Sequence, residues 1–100
     1  MQTPVLAFTL SNISHTENGL DAQSLNKKFA SLTKSSSCSS GENACVGTAF
    51  AQCVGGKFVT TPCGSGLTCA ALPLVNSKGT SVTCTTAADR DARIATALSS

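Results

Sequence analysis

Near the start of the chain, large apolar side chains recur at every second position. In residues 4–10 the alternating side chains are Leu6, Phe8 and Leu10, and this period of two predicts a short strand or an extended arm lying on a groove. The polar segment 11–19 that follows predicts a loop. It contains the sequon Asn12-Ile13-Ser14, which makes Asn12 a candidate glycosylation site in a secreted protein.

A helical spacing of apolar residues begins after this loop. The residues recur three, seven and ten positions after the first, at Ala22, Leu25, Phe29 and Leu32. This pattern predicts a helix over residues 20–33 with one apolar face. Asn18, with Asp21 three residues later, is typical of a helix N-terminus. The lysines of this segment fall late, where they suit the negative end of the helix dipole.

A second helix is predicted near the end of the chain. Thr86 and Asp89 have the spacing of a capping box. Asp89 and Arg93 are four residues apart, so they can form an ion pair on a helix surface. With the modest apolar face that includes Ile94, these signals predict a helix over residues 87–97.

Between the helices the sequence is rich in β-branched residues and glycine. Residues 50–61 contain two runs of β-formers joined by Gly55-Gly56, the pattern of a tight hairpin, because glycine adopts positive φ without steric cost. A second hairpin is predicted for residues 72–84, with its turn at 76–79. Residues 62–66 predict a corner between the two hairpins.

All six cysteines lie between the predicted helices, at Cys38, Cys45, Cys53, Cys63, Cys69 and Cys84. An even number of cysteines in so short a segment predicts a disulfide framework, which rigidifies a segment too small for a sizeable core of its own. The residues leave the pairing open. Cys63 and Cys69 could close the loop between them, or Cys69 and Cys84 could lie opposite each other across the second hairpin.

These elements predict a small disulfide-rich α+β fold that forms one structural domain. An antiparallel β-hairpin module at about 42–84 is flanked by the helices at 20–33 and 87–97. The chain divides into three consecutive parts: an arm and helix at 1–37, the cysteine-rich module at 38–84, and at 85–100 the second helix, packing on the module.

Composition and charge argue against several classes of function. The net charge is +2, from seven cations and five anions, and no run of Lys or Arg exceeds two, so no nucleic-acid partner is expected. No apolar run approaches the ~18 residues of a membrane span, so no membrane partner is expected either. The opening residues lack the features of a signal peptide. With so many cysteines, we interpret the chain as a mature secreted protein.

Catalytic and metal-binding chemistry is not predicted. The sequence has no Cys-x-x-Cys pair, and its single histidine, His15, lies in the polar segment well before the first cysteine. A zinc site therefore lacks ligands, and a thiol nucleophile lacks its base. Four of the five carboxylates lie at or before helix starts, where capping explains them. The fifth, Glu42, is interpreted as a surface residue. We expect no enzyme activity and no cofactor.

The cysteine-rich segment resembles a known family. The features that carry the resemblance are a G-E-x-x-C opening, the run FAQCVGGKF, the run PCGSGLTC and a late V-T-C. Together they are similar to carbohydrate-binding module family 19 of fungal chitinases and small secreted fungal proteins. The resemblance covers about residues 38–84, and the flanking segments look like those that accompany this module in secreted mushroom proteins. It implies chitin binding without catalysis.

The resemblance also implies a disulfide pairing and a sugar-binding hairpin. Transferred from a related chitin-binding framework of arthropods, the implied pairs are Cys38–Cys53, Cys45–Cys84 and Cys63–Cys69. Aromatic rings can stack on sugar rings while amides and cations hydrogen-bond to hydroxyls. The candidate ligand-binding residues are Phe50, Gln52, Lys57, Phe58 and Asn76. Either phenylalanine could instead belong to the core, and the polar residues could be solvated turn residues.

Two functions are open on these grounds. The first is a non-catalytic secreted protein that binds a polysaccharide, chitin or a related cell-wall glycan, through the 50–60 hairpin. The alternative is a small secreted effector or structural protein that keeps the framework without sugar binding and self-associates through the N-terminal arm and helix. A protease inhibitor ranks last, because nothing in residues 64–68 marks a protease preference.

Overall fold

The computed structural model describes residues 14–99 and confirms a small disulfide-rich α+β fold. The elements in chain order are helix α1 (His15–Phe29), strands β1 (Asn43–Val46), β2 (Ala49–Val54), β3 (Lys57–Thr61), β4 (Thr68–Pro73) and β5 (Thr80–Thr85), and helix α2 (Ala87–Leu98). The predicted arm at 4–10 and the sequon residue Asn12 lie outside the described residues. Neither helix of residues 14–99 is long and apolar enough to span a bilayer.

Helix α1 begins and ends earlier than predicted. Its N-cap is Ser14, whose hydroxyl accepts the Glu17 N–H at 3.1 Å. This serine, with glutamate three residues later, is the sequence signature of a capping box. The predicted cap, Asn18, is instead a fully buried residue inside the helix. The helix ends at Phe29, and Leu32 packs on the core from the loop beyond it.

The hydrogen bonds of the Asn18 side chain explain why an amide occupies a buried helical position. Its Nδ2 donates to the carbonyl oxygens of Leu74 and Ser77, both at 3.0 Å, and its Oδ1 accepts the Gly79 N–H at 2.8 Å. Three bonds to backbone groups satisfy the buried amide. One side chain of α1 thereby fixes the loop that joins β4 and β5.

Helix α2 confirms the prediction from local signals. The Thr86 hydroxyl accepts the Asp89 N–H at 3.0 Å, and Arg93 Nε lies 3.1 Å from Asp89 Oδ2. Ile94 and Ala97 are buried. The two helices approach closely at Gly19 of α1, where an added Cβ would lie 3.2 Å from Ala97 Cβ.

Strands β1, β2 and β3 form one antiparallel sheet in that order. The predicted Gly55-Gly56 turn joins β2 to β3, and both glycines have positive φ, 60° and 84°, as a two-residue hairpin with the sheet's twist requires. Strand β1 is preceded by a bulge in which Gly41 N–H donates to the Cys53 carbonyl at 2.9 Å. Cys53 N–H donates in turn to the Glu42 carbonyl at 2.8 Å.

Strands β4 and β5 form a separate two-stranded sheet. The second predicted hairpin is therefore present, but β4 begins at Thr68 and not at residue 72. The free edge of β4 is covered by side chains and turns. Ala71 N–H donates to Asn26 Oδ1 at 2.8 Å, Asn26 Nδ2 donates to the Ala71 carbonyl at 3.0 Å, and Cys69 N–H donates to the Thr48 carbonyl at 3.2 Å. Pro73 has no N–H to satisfy.

Three disulfides bond all six cysteines, as Cys38–Cys53, Cys45–Cys69 and Cys63–Cys84. The first is the pair implied by the family resemblance. The other implied pairs, Cys45–Cys84 and Cys63–Cys69, are wrong. The cause is the placement of β4, because the Cys69–Thr48 backbone bond brings Cys69 beside the β1–β2 turn and so beside Cys45. Cys84 lies opposite Cys69 in the β4–β5 register, but its disulfide is with Cys63, which follows β3.

The core lies where the helices meet the two sheets. It is built largely from small residues and disulfides, with bulk supplied by Phe29, Phe58 and Ile94. This composition explains the need for cross-links, since a core with so few large side chains buries little apolar area. The disulfides make up for that shortage.

Candidate functional site

The register of the three-stranded sheet places one set of side chains on its solvent side. Gln52 pairs with Asn43 on one flank and Val59 on the other, Val54 pairs with Lys57, and Phe50 pairs with Thr61. Directly opposed residues share a sheet face, and residues two apart along a strand share it too. We call this set the outer face: Asn43, Phe50, Gln52, Val54, Lys57, Val59 and Thr61.

The outer face is exposed and mixes apolar with polar groups. Val54 and Val59 are 58% and 55% exposed, although both are aliphatic. Between them lies the exposed Gln52 amide, with Asn43 beside it on β1. Lys57 is the only charged side chain of this face. With strands about 4.8 Å apart and about 6.7 Å between alternate side chains, the face is a shallow, nearly neutral platform.

Phe50 closes one end of the outer face. It is half-buried and packs against the core. Its β1 neighbour on the same face is Cys45, which is buried by its bond to Cys69 of β4. The Phe50 side chain is therefore only partly open to solvent.

Phe58 does not belong to this face. It pairs with Cys53 on the opposite side of the sheet and is only 6% exposed. It borders a cleft of about 380 Å³ whose other lining residues include Leu32, Cys38 and Glu42. Of the two roles left open for Phe58, the structure supports the core role, because a ring buried to this degree cannot stack on a sugar.

Asn76 is also separated from the outer face. It is exposed in the loop 74–79 at the tip of the second hairpin, whereas that hairpin meets the first sheet near Cys69 and Cys84 at its base. Four strand positions from Cys69 to Pro73, at about 3.3 Å each, put at least ~13 Å of β4 between base and tip. Of the five candidate residues, the structure brings together Phe50, Gln52 and Lys57.

The two residues considered for catalysis have structural contacts. Glu42 Oε1 accepts the Ser39 N–H at 3.0 Å, which stabilises the turn before β1. His15 was predicted in a loop, but it is the first residue of α1, and its Nε2 lies 3.0 Å from the Val75 carbonyl oxygen. Within residues 14–99, no group of three or more His, Cys, Asp or Glu side chains is placed to hold a metal ion.

Four members of the outer face were not among the predicted site residues. Pairing and alternation place there Asn43, Val54, Val59 and Thr61. The period of two along β2 was available from the sequence once the Gly55-Gly56 turn was recognised, because the turn sets the pairing of Val54 with Lys57 and every pair beyond it. Strand β1 had no comparable signal, so Asn43 could not be assigned to this face.

Comparison with protein-family models, with curated proteins and with solved structures finds no match to this chain. The disulfides themselves characterise the environment. Three bonds in a chain of 100 residues indicate an oxidising, extracellular-type setting.

Proposed function

We propose that this protein is a non-catalytic, secreted carbohydrate-binding protein that holds chitin or a related cell-wall glycan on the outer face. One observation carries the proposal. The strand register gathers Phe50, Gln52 and Lys57, three residues selected from the sequence for sugar binding, on a single exposed face. The family resemblance of residues 38–84 supports the same function.

The chemistry of the outer face suits a neutral polysaccharide. Sugar rings present apolar C–H faces and a rim of hydroxyls, so they need apolar surface together with hydrogen-bonding groups. Val54, Val59 and the open part of Phe50 supply the first. Gln52 and Asn43 supply amide donors and acceptors, and Lys57 donates. The platform is shallow, so we expect weak binding to each ligand segment.

Bead retention tests this proposal. The oxidised protein is incubated with chitin, cellulose and β-glucan beads, and the bound fraction is measured. We expect retention on at least one of them, and reduced retention for Gln52→Ala and for Val59→Thr. The second variant keeps a β-branched residue in the strand, so the sheet is preserved.

Asn76→Ala is the matched control for Gln52→Ala. It also removes an exposed amide, but from the tip of the other hairpin, so its retention should equal that of the wild-type protein. Absence of retention on all three polysaccharides would rule out the proposal. Equal losses for Gln52→Ala and Asn76→Ala would rule out the outer face as the site.

A second candidate function rests on the aromatic residues. Among the described residues, the exposed large hydrophobic side chains are leucines and valines, with no phenylalanine. This favours a secreted structural or interaction protein that keeps the disulfide framework without a sugar platform. Light scattering across a range of concentrations separates the two, because this candidate requires self-association or protein binding in a sample that no glycan bead retains.

A further inference from the structure

The three-stranded sheet has one edge that is covered and one that is open. Strand β1, at the first edge, is tied to β4 by the Cys45–Cys69 disulfide. Strand β3, at the second edge, pairs with β2, and no other strand of residues 14–99 hydrogen-bonds to it. An open strand edge presents unpaired N–H and C=O groups to which a further strand can bind. The β3 edge is therefore a candidate interaction surface.

The register of the β2–β3 hairpin identifies the backbone groups that point outward from β3. The two-glycine turn closes at the Val54–Lys57 pair, and in a two-residue hairpin this pair exchanges hydrogen bonds. Bonded and non-bonded pairs alternate along antiparallel strands, so every second residue of β3 from Lys57 onward bonds to β2. The N–H and C=O groups of Phe58 and Thr60 therefore point away from the sheet.

This pattern is self-complementary for a second copy of β3. In an antiparallel pair with a two-fold axis at Val59, Phe58 of one copy lies opposite Thr60 of the other, so outward groups meet outward groups and can exchange hydrogen bonds. All five residues of β3 take part, because Val59 is the middle one. The two copies of Val59 then face each other as a non-hydrogen-bonded pair, with Cα atoms about 4.5 Å apart.

The side chains of β3 suit the same pairing. Val59 is aliphatic and yet 55% exposed, and the axis sets it against its own counterpart. Lys57, the only charged residue of β3, lies opposite Thr61 of the second copy. The two lysines are then four residues apart along the strands, about 13 Å, which exceeds the screening length of about 8 Å at physiological salt. No like charges therefore oppose each other across the edge.

Strand β5 also has an open edge, but its length does not allow this pairing. Val82 points its backbone groups outward, because its β4 partner Ala71 directs its N–H away from β5, to Asn26. Strand β5 has six residues, Thr80–Thr85, so a two-fold axis at its centre falls between the third and the fourth. Such an axis sets outward residues opposite inward ones, so the full strand cannot bond to a second copy of itself.

We propose that two copies of this chain form a two-fold symmetric dimer through their β3 edges, with Val59 on the axis. The two three-stranded sheets then join into one continuous antiparallel sheet, and the two outer faces lie side by side. The interface is one short pair of strands, so we expect weak, concentration-dependent dimerisation. The pairing is set by the register of β3 and does not depend on glycan binding.

Charge variants at the axis test the dimer. The size of the oxidised protein is measured by analytical ultracentrifugation over a range of concentrations. We expect a monomer–dimer equilibrium that Val59→Glu and Val59→Lys each weaken by about tenfold or more, because like charges then meet on the axis. An equal mixture of the two variants should restore dimerisation, since a carboxylate then faces an ammonium group. The substitutions shift the net charge of +2 in opposite directions, so net charge cannot explain this result.

Val54 provides the matched control. It is 58% exposed on the same face, but it lies on β2, one strand away from the open edge. Val54→Glu and Val54→Lys make the same changes in charge and should dimerise like the wild-type protein. Far-UV circular dichroism confirms that each variant is folded.

A cysteine at the axis tests the register itself and replaces the charge variants if they do not fold. The expected Cα separation at Val59 lies within the range of a disulfide. Val59→Cys should therefore give a covalent dimer on oxidation, with a 59–59 cross-link recovered by peptide mapping without reduction. Val54→Cys should stay monomeric under the same conditions.

Three outcomes would overturn the proposal. A wild-type protein that is monomeric at every concentration shows that the β3 edge does not bind a second copy. A dimer that the Val59 charge variants weaken no more than the Val54 variants do shows that the copies associate through another surface. Equal cross-linking of Val59→Cys and Val54→Cys shows random collision of thiols and not the proposed register.

Discussion

The Asn18 side chain offers the sharpest test of how the helices organise the second hairpin. It is fully buried within α1 and bonds to three backbone groups of the loop 74–79. Asn18→Ala removes all three bonds while keeping a residue that is compatible with the helix. We expect the variant to fold with lower stability and with a loosened loop.

The magnitude follows from two opposing effects. Each hydrogen bond contributes about 1 kcal/mol net to stability, so the loss of three costs about 3 kcal/mol. Alanine is a better helix former than asparagine by up to about 0.7 kcal/mol, which offsets a small part. The free energy of unfolding should therefore fall by about 2 kcal/mol or more. The fall in the free energy of unfolding is larger if a backbone group released from Asn18 stays buried without a partner, because an unsatisfied buried group costs more than a lost hydrogen bond.

Chemical denaturation with intact disulfides measures this change. Because the chain lacks Trp and Tyr, the unfolding transition is followed by far-UV circular dichroism. Hydrogen exchange at the Gly79 amide provides a local readout, since this N–H donates to Asn18 Oδ1 and should exchange faster in the variant. The control is Asn76→Ala, an exposed amide of the same loop, which should change stability by less than about 0.5 kcal/mol.

Two results would refute this reasoning. If Asn18→Ala is as stable as Asn76→Ala, the three bonds contribute nothing beyond what water supplies. If stability falls but exchange at Gly79 is unchanged, the loss comes from packing and not from anchoring the loop. In either case α1 would not be what fixes the hairpin tip.

Three further expectations concern other contacts. Gly19→Val should lower the free energy of unfolding by about 1–3 kcal/mol in denaturation, because side-chain atoms at that site overpack the α1–α2 contact; stability equal to that of the wild type would contradict that contact. The Thr85 hydroxyl, 2.6 Å from Asp89, lowers the pKa of that carboxyl, with a smaller lowering from Arg93 and an opposing effect of burial. The ionised Asp89 carboxylate therefore stabilises the fold at pH values above its unfolded-state pKa. This stabilisation is lost as the pH falls through the lower pKa of the folded state. Thr85→Val should raise the pKa of Asp89 in an NMR titration, and an unchanged pKa would count against the bond. Peptide mapping without reduction should recover a Cys45–Cys69 peptide, and finding Cys45–Cys84 instead would contradict the placement of β4.

The elements that the sequence predicted well are those with local signals. Helix α2 has its Thr86 N-cap, its ion pair and its apolar face within a few turns, and all three appear in the structure. The β2–β3 hairpin depends on Gly55-Gly56 alone. Asn18 was predicted as the N-cap of α1, whereas the cap is Ser14 and the Asn18 amide bonds to the distant loop 74–79. Asparagine caps helices well because its side chain bonds to backbone groups, and the same side chain can bond to the backbone of a distant loop.

Long-range pairing could not be predicted in the same way. Nothing local in the sequence indicates that Thr48 accepts the Cys69 N–H, and without that contact Cys45 and Cys69 are not neighbours. The same limit applies to the candidate site. Alternation along β2 relates Phe50 to Gln52, but whether Phe58 faces the core depends on which side of the sheet the helices cover.

The connectivity of the disulfides bears on what happens when the backbone is cut. The three disulfides close covalent loops over residues 38–53, 45–69 and 63–84. The three spans overlap, so every peptide bond from residue 38 to residue 84 lies inside at least one covalent loop. A protease that cleaves any single turn of this region leaves the two pieces joined. Only the segments before Cys38 and after Cys84, which hold both helices, can be lost by a single cleavage, and an extracellular protease would thus trim this molecule from its ends before it could divide the β-sheet module.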